Sequence, residues 1–282
     1  MAFCRFIVWV SAFLFVGQVL AVEQAATPII IPKMTSYDIN HEDYYFSKLL
    51  DLALSKTLST YGPYEIQEPV NWTADKRLRI ALSKGEIDVL WSTTSAELEQ
   101  EMLPIKISLL KEMNNYRVLI IRPEDQTAFS QVKNLKDLRK FRGGMNSQWV
   151  DAMVMEQNQL PQIYAVGYGK FFKMLAAKRF DYFSRGIYQV QTEVNFYPEL
   201  KLAIERDLLL HYNNEFYFFV QKENAALASR IESGLKIALE DGSFDQLFNS
   251  IPRYQWALDE LKNGARRVID LSSPASSSEM PR

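Results

Sequence analysis

Two segments of the chain share one pattern, and that duplication limits the folds open to it. Residues 80–92 read Ile-Ala-Leu-Ser-Lys-Gly-Glu-Ile-Asp-Val-Leu-Trp-Ser, and residues 173–185 read Lys-Met-Leu-Ala-Ala-Lys-Arg-Phe-Asp-Tyr-Phe-Ser-Arg. With Asp88 set on Asp181, Leu82 falls on Leu175, Ile87 on Phe180 and Leu90 on Phe183. Each copy is an amphipathic helix ending in small and basic residues, then an Asp that opens a short apolar strand. Each strand runs out into polar residues: Ser92, Thr93 and Thr94 in the first, Ser184 and Arg185 in the second. Such helix–strand units build parallel sheets, whose ligands bind beyond the carboxyl ends of the strands. Two copies therefore predict two α/β lobes that offer polar strand ends to a shared cleft. The competing reading is chance similarity of two helix–strand joints. Asp88 and Asp181, at the foot of a helix in both copies, read as structural rather than catalytic.

The ends of the chain point to export. Arg5, the apolar run Phe6–Val16 and the small-residue pattern Val19-Leu20-Ala21 form a cleavable signal peptide over residues 1–21. The alternative is an uncleaved anchor, but the run is shorter than the ~20 residues a spanning helix needs. Cys4 is the only cysteine, so the mature chain has no disulfide, no thiolate nucleophile and no Cys-based metal site. Removing Arg5 leaves 31 basic against 34 acidic side chains, a near balance that argues against nucleic acid as a partner. Residues 272–282, rich in Ser and Pro, read as a disordered tail.

Between the ends, elements alternate. Residues 28–32 and 64–68 read as strands, and residues 44–58 as a helix with apolar residues at helical spacing. Tyr116–Ile121 is a strong strand, Val132–Phe141 a short basic helix, and Gly143-Gly144 a turn or strand before Asn146 and Ser147. Leu208–Val220 is aromatic and strand-like, Asn224–Glu240 is an amphipathic helix, and the block after it reads as helical.

Four motifs in this order resemble the extracellular solute-binding proteins of family 3, the polar-amino-acid type. They are Leu82-Ser-Lys-Gly-Glu-Ile-Asp88, the Val132–Gly144 entry to the second lobe, Met174–Asp181, and Ala228–Phe248 with its Leu239-Glu-Asp-Gly-Ser243. The resemblance implies an α/β, two-lobed type 2 periplasmic-binding-protein fold with two hinge crossovers. Lobe one would comprise residues 27–118 plus 211–271, lobe two residues 123–207, with Tyr116–Ile121 and Phe216–Val220 as hinge strands. It implies a ligand suited to such clefts, a small polar solute enclosed by hinge closure, in a monomer serving an ABC importer from the periplasm.

The site departs from the family pattern. The resemblance places the ligand-carboxylate Arg of a Thr-x-Glu-Arg motif at Leu98, within Ser95-Ala96-Glu97-Leu98. It also places an acidic residue where Arg185 follows Ser184. Arg185 is thus the leading candidate to hold an anionic ligand group, against the alternative of a structural ion pair. Ser92, Thr93 and Thr94 are candidate hydrogen-bond donors. Asn146 and Ser147 stand at a predicted helix start that suits an anion, with capping as the alternative. Tyr37, Trp72 and Trp91 are candidate pocket walls, with core packing as the alternative.

Two other functions compete with solute capture. One is a dehydratase-like periplasmic enzyme on the same fold. Its general acid or base would fall to His41 or His211, neither of which has a nucleophile or metal partner at useful spacing. The other is a ligand-sensing subunit of a membrane receptor. Nothing in the sequence calls for a cofactor.

Overall fold

A computed structural model of the chain describes residues 25–69 and 75–273. The signal-peptide reading, Trp72 and nearly all of the predicted tail fall outside them. The first half runs β1 (Thr27–Ile30), α1 (Glu42–Ser55), α2 (Leu58–Tyr61), β2 (Tyr64–Gln67), α3 (Asp75–Ser83), β3 (Leu90–Thr93), α4 (Ala96–Glu101) and β4 (Met102–Ile105). The middle runs β5 (Tyr116–Ile121), α5 (Gln126–Ser130), α6 (Leu135–Leu138), β6 (Gly143–Asn146), α7 (Val150–Gln157), β7 (Gln162–Ala165), α8 (Tyr168–Ala176), β8 (Tyr182–Gly186) and α9 (Val190–Phe196). The chain closes with β9 (Ala203–Ile204), β10 (Leu208–His211), β11 (Phe216–Gln221), α10 (Ala225–Glu240), α11 (Ser243–Asn249), α12 (Pro252–Asn263) and β12 (Arg267–Asp270).

The first lobe is built on the parallel pair β1–β2 and the antiparallel set β3–β11–β4. Helices α1 and α10 pack together because both carry apolar residues at helical spacing. Tyr45, Phe46, Leu49, Leu50, Ala53 and Leu54 are buried on α1, and Ile231, Leu235 and Ala238 on α10. The two backbones approach closely at Gly234, where a Cβ would meet the Ala53 carbonyl oxygen at 1.9 Å. The second lobe is a sheet in the order β12-β10-β5-β8-β6-β7, with β9 paired to β5. Within it β6, β7 and β8 are parallel, as the helix–strand units predict.

The duplication is real in three dimensions. The Asp88 carboxylate accepts the Ile30 N–H at 2.7 Å, and its own N–H donates to the Ile30 carbonyl at 2.7 Å. Asp181 repeats this with Arg142, at 2.8 and 2.7 Å. The helix ends match as well. Gly85 and Lys178 both have positive φ, 70° and 59°. Each is followed by a residue whose N–H reaches back five positions, Glu86 to Ala81 and Arg179 to Met174, the Schellman arrangement. Both Asp residues therefore lace adjacent segments together, a structural role of the kind the sequence predicts.

The crossings and one boundary differ from expectation. Strand β5 pairs wholly within the second-lobe sheet and β11 wholly within the first, so neither is a crossing strand. The chain passes between the two lobes' sheets at residues 106–115 and 212–215, and a third time between β11 and β12. Asparagines tie the first two segments together: the Asn214 N–H donates to Asn115 Oδ1 at 2.9 Å, and the Asn114 amide donates to the Asn214 carbonyl. The block after α11 is not purely helical, because β12 follows α12 and pairs in parallel with β10. Ile269 and Leu271 consequently pack with Leu119, Tyr182 and Leu210, in the second-lobe core rather than the first. The predicted basic helix over 132–141 shortens to the single turn α6.

Candidate functional site

A cleft of about 580 Å³ opens between the carboxyl ends of β3 and β8. Its first-lobe wall is aromatic and hydroxylic. Trp91 stacks on Phe46 at 6.0 Å, and Phe46 on Phe216 at 4.7 Å, beside Ser92 and Thr93. All four residues of β3, Leu90 to Thr93, contribute to this wall, Leu90 as the most buried of them. On the opposite wall Trp149 stacks against Phe183 at 6.1 Å, and the Arg185 guanidinium lies 4.7 Å over the Trp149 ring and 5.4 Å from Tyr168.

Two ion pairs are built into that wall. Arg185 grips Glu193 through Nε and Nη2, at 2.9 and 2.6 Å, with side-chain exposures of only 11% and 6%. Burial disfavours the guanidinium charge, but Glu193 outweighs it and holds Arg185 more firmly protonated than an ordinary arginine. Deeper, Arg117 Nε donates to Asp151 at 2.8 Å, and the Tyr212 hydroxyl donates to the same oxygen. Burial alone would push the Asp151 carboxyl up; Arg117 and the Tyr212 hydrogen bond reverse this and leave it below the usual carboxylate range. The floor is Asn114, which accepts from the Tyr188 hydroxyl at 3.1 Å. Across the cleft, the Gln189 amide donates to Glu42 at 2.7 Å and joins the two lobes.

Among the described residues, two buried polar groups of the cleft lack a hydrogen-bond partner: the Ser184 hydroxyl and Arg253 Nε. Such groups are rare in folded proteins, and here both belong to residues that line the cleft.

Of the sequence candidates, Arg185, Ser92, Thr93 and Trp91 line the cleft. Thr94 does not; its hydroxyl donates to Glu99 at 2.8 Å. Asn146 is buried and accepts the Gln148 N–H at 3.0 Å, so it forms a turn, and Ser147 is exposed beside it. The helix α7 starts later than predicted, and its first turn carries Asp151, an anion of the chain's own. Tyr37 is 69% exposed and donates to Glu68 at 2.7 Å, away from the cleft wall. The position of the expected acid holds Arg185, and the carboxylate beside it, Glu193, is that arginine's own ion-pair partner. Sequence reasoning missed Trp149, Tyr168, Glu193, Arg117, Asp151 and Arg253, because only the pairing of β5 with β8 and the packing of α7, α8, α9 and α12 gather them at the cleft. Leu98 is fully buried in the first-lobe core. His41 caps α1, accepting the Asp43 N–H at 3.3 Å, and lines the cleft. His211 pairs with Asp270 at 2.8 Å and does not line it.

No family model and no curated protein matches the sequence. Solved structures do match. An ancestral arginine-binding protein bound to arginine is 15% identical, with a TM-score of 0.57, over 82% of this chain and 99% of its own. A histidine kinase sensor domain with similarity to periplasmic binding proteins is 13% identical, with a TM-score of 0.58, over 82% and 97%. An ancestral amino-acid-binding protein, a precursor of cyclohexadienyl dehydratase, is 12% identical, with a TM-score of 0.57, over 80% and 95%. The chain thus has the two-lobed type 2 periplasmic-binding fold shared by these proteins. No helix among the described residues is long and apolar enough to cross a membrane.

Proposed function

We propose that this chain is a divergent periplasmic solute-binding protein that captures a small polar, anionic solute between its lobes and delivers it to an ABC importer as a monomer. The observation that carries the reading is the cleft itself. Polar strand ends from both copies of the duplicated unit meet across it, its walls are aromatic, and it retains buried polar groups without partners. A concave site with a few placed polar groups suits a small solute. Solute-binding proteins dominate the structural likeness, which supports binding over turnover. The Arg185 fork is already engaged by Glu193, which leaves Nη1 as the part of that residue open to a ligand.

The test is a thermal-stabilisation screen of polar solutes, with product formation followed in parallel and small-angle scattering on each hit. A stabilising solute that compacts the protein and is recovered unchanged is the expected result. Chemical conversion of the solute would instead favour the dehydratase-like reading. A complete absence of stabilising solutes would overturn solute capture.

A further inference from the structure

Among the described residues, Arg253 is a buried cation with no carboxylate in contact. It stands in the first turn of α12 and is 5% exposed. Its hydrogen bonds are two long ones to neutral groups: Nη1 to the Asn40 carbonyl at 3.4 Å and Nη2 to the Tyr254 hydroxyl at 3.5 Å. The rings of Tyr188 and Tyr254 lie 5.9 and 5.2 Å from the guanidinium. Burial opposes the charge, but the Tyr254 phenol and Glu42 outweigh it, so the group stays protonated. Glu42 acts from beyond ion-pair contact and is held by Gln189.

The comparison with Arg185 is direct. There the Nε–Nη2 edge closes on a carboxylate, as bidentate pairing favours. In Arg253 the same edge carries one long contact and an Nε with none among the described residues. A desolvated cation is unfavourable until an anion pairs with it. Its position also suits a ligand. Arg253 lines both the main cleft and an adjoining cavity of about 580 Å³, together with Asn40, His41, Thr192 and Phe196. The start of α12 has no side-chain cap, so its backbone dipole adds positive potential at that point.

We propose that Arg253 anchors a carboxylate of the captured solute at the junction of the two cavities, a task that neither repeat copy performs. The assignment rests on the solute-binding reading above.

The test uses the full chain and the variants Arg253→Met, Arg253→Lys and Arg117→Met. The probes are the standard L-amino acids, their C-terminal amides, acetate, succinate and glutarate, at fixed ionic strength. Calorimetry should find a carboxylate probe that binds the wild type, and its amide or uncharged counterpart should not bind. Arg253→Met should weaken that probe roughly thirtyfold or more, and Arg253→Lys should recover only part of the loss. Without ligand, Arg253→Met should melt no lower than wild type, because it removes a buried cation that makes only long hydrogen bonds to neutral groups. Arg117→Met should melt lower, because it strands Asp151. Equal affinity in wild type and Arg253→Met overturns the anchor and leaves solute capture standing, as does binding confined to uncharged probes. Melting of Arg253→Met as low as Arg117→Met also overturns it, since the chain itself would then satisfy the guanidinium. If no solute of any class binds the wild type, solute capture fails and the anchor fails with it.

Discussion

Replacing Arg185 with Met should destabilise the fold, and the size of the effect follows from what the side chain touches. The guanidinium holds Glu193 in a two-pronged grip with both side chains nearly buried, and it rests on the faces of Trp149, Tyr168 and Phe183. Met keeps the apolar bulk but removes the charge, leaving the Glu193 carboxylate buried without its cation. Breaking such a pair from one side costs about 3–5 kcal/mol. With a urea slope near 3 kcal/mol/M, the unfolding midpoint should fall by about 1 M or more. Equilibrium unfolding followed by tryptophan fluorescence measures this, since Trp149 lies under the guanidinium. The double variant Arg185→Met, Glu193→Leu should recover most of the loss, because removing both charges lifts the desolvation burden from each. A loss below about 1 kcal/mol for Arg185→Met would show that the pair behaves like an exposed one. Failure of the second substitution to restore stability would show that the pairing is not the cause. Either result would refute the argument. An affinity change in an Arg185 variant is therefore interpretable only beside its stability.

Two further outcomes are expected. The lowered Asp151 carboxyl contributes stability that is present above its ordinary value of 3.8 and is lost as pH falls through its still lower folded-state value; Asp151→Asn should start less stable at neutral pH but lose less on acidification, and parallel acid unfolding curves for the two proteins would contradict this. Lys178 occupies the left-handed position that Gly85 fills in the first copy, so Lys178→Gly should stabilise by about 1 kcal/mol and Gly85→Ala destabilise by a similar amount; thermal melts that rank these variants the other way would dismiss the shared helix-end geometry.

The architecture was legible because it is written in local, repeated patterns. Apolar spacing located α1 and α10, and the Leu82–Asp88 and Met174–Asp181 segments announced both helix ends and both lacing aspartates. Those features depend on residues a few positions apart, which a linear reading sees. The strand ends at Ser92, Thr93 and Arg185 were found by the same logic, although only β8 has the parallel partner that the helix–strand units predict, while β3 pairs antiparallel with β11. The misreadings have a common cause. The segment Leu208–Val220 looks like one aromatic strand, yet Asn213 and Asn214 divide it between two sheets, and only the pairing of β10 with β5 and of β11 with β3 decides where the chain crosses. Polar strand-end and loop residues such as Thr94 and Asn146 spend their hydrogen bonds on their own neighbours, which spacing does not reveal.

What the sequence determined by itself was the α/β class, the duplication, the two-lobed form and the absence of an arginine at Leu98. What only the tertiary structure decided was the state of each charge. Arg117, Arg185 and Arg253 are indistinguishable as letters. Folding sets the first beside Asp151 and the second beside Glu193, and leaves the third among tyrosines and a backbone carbonyl. Compensation of a buried charge depends on distances of a few ångströms between groups far apart in the chain, because electrostatic attraction in a desolvated site rises steeply at contact, and no local pattern encodes those distances.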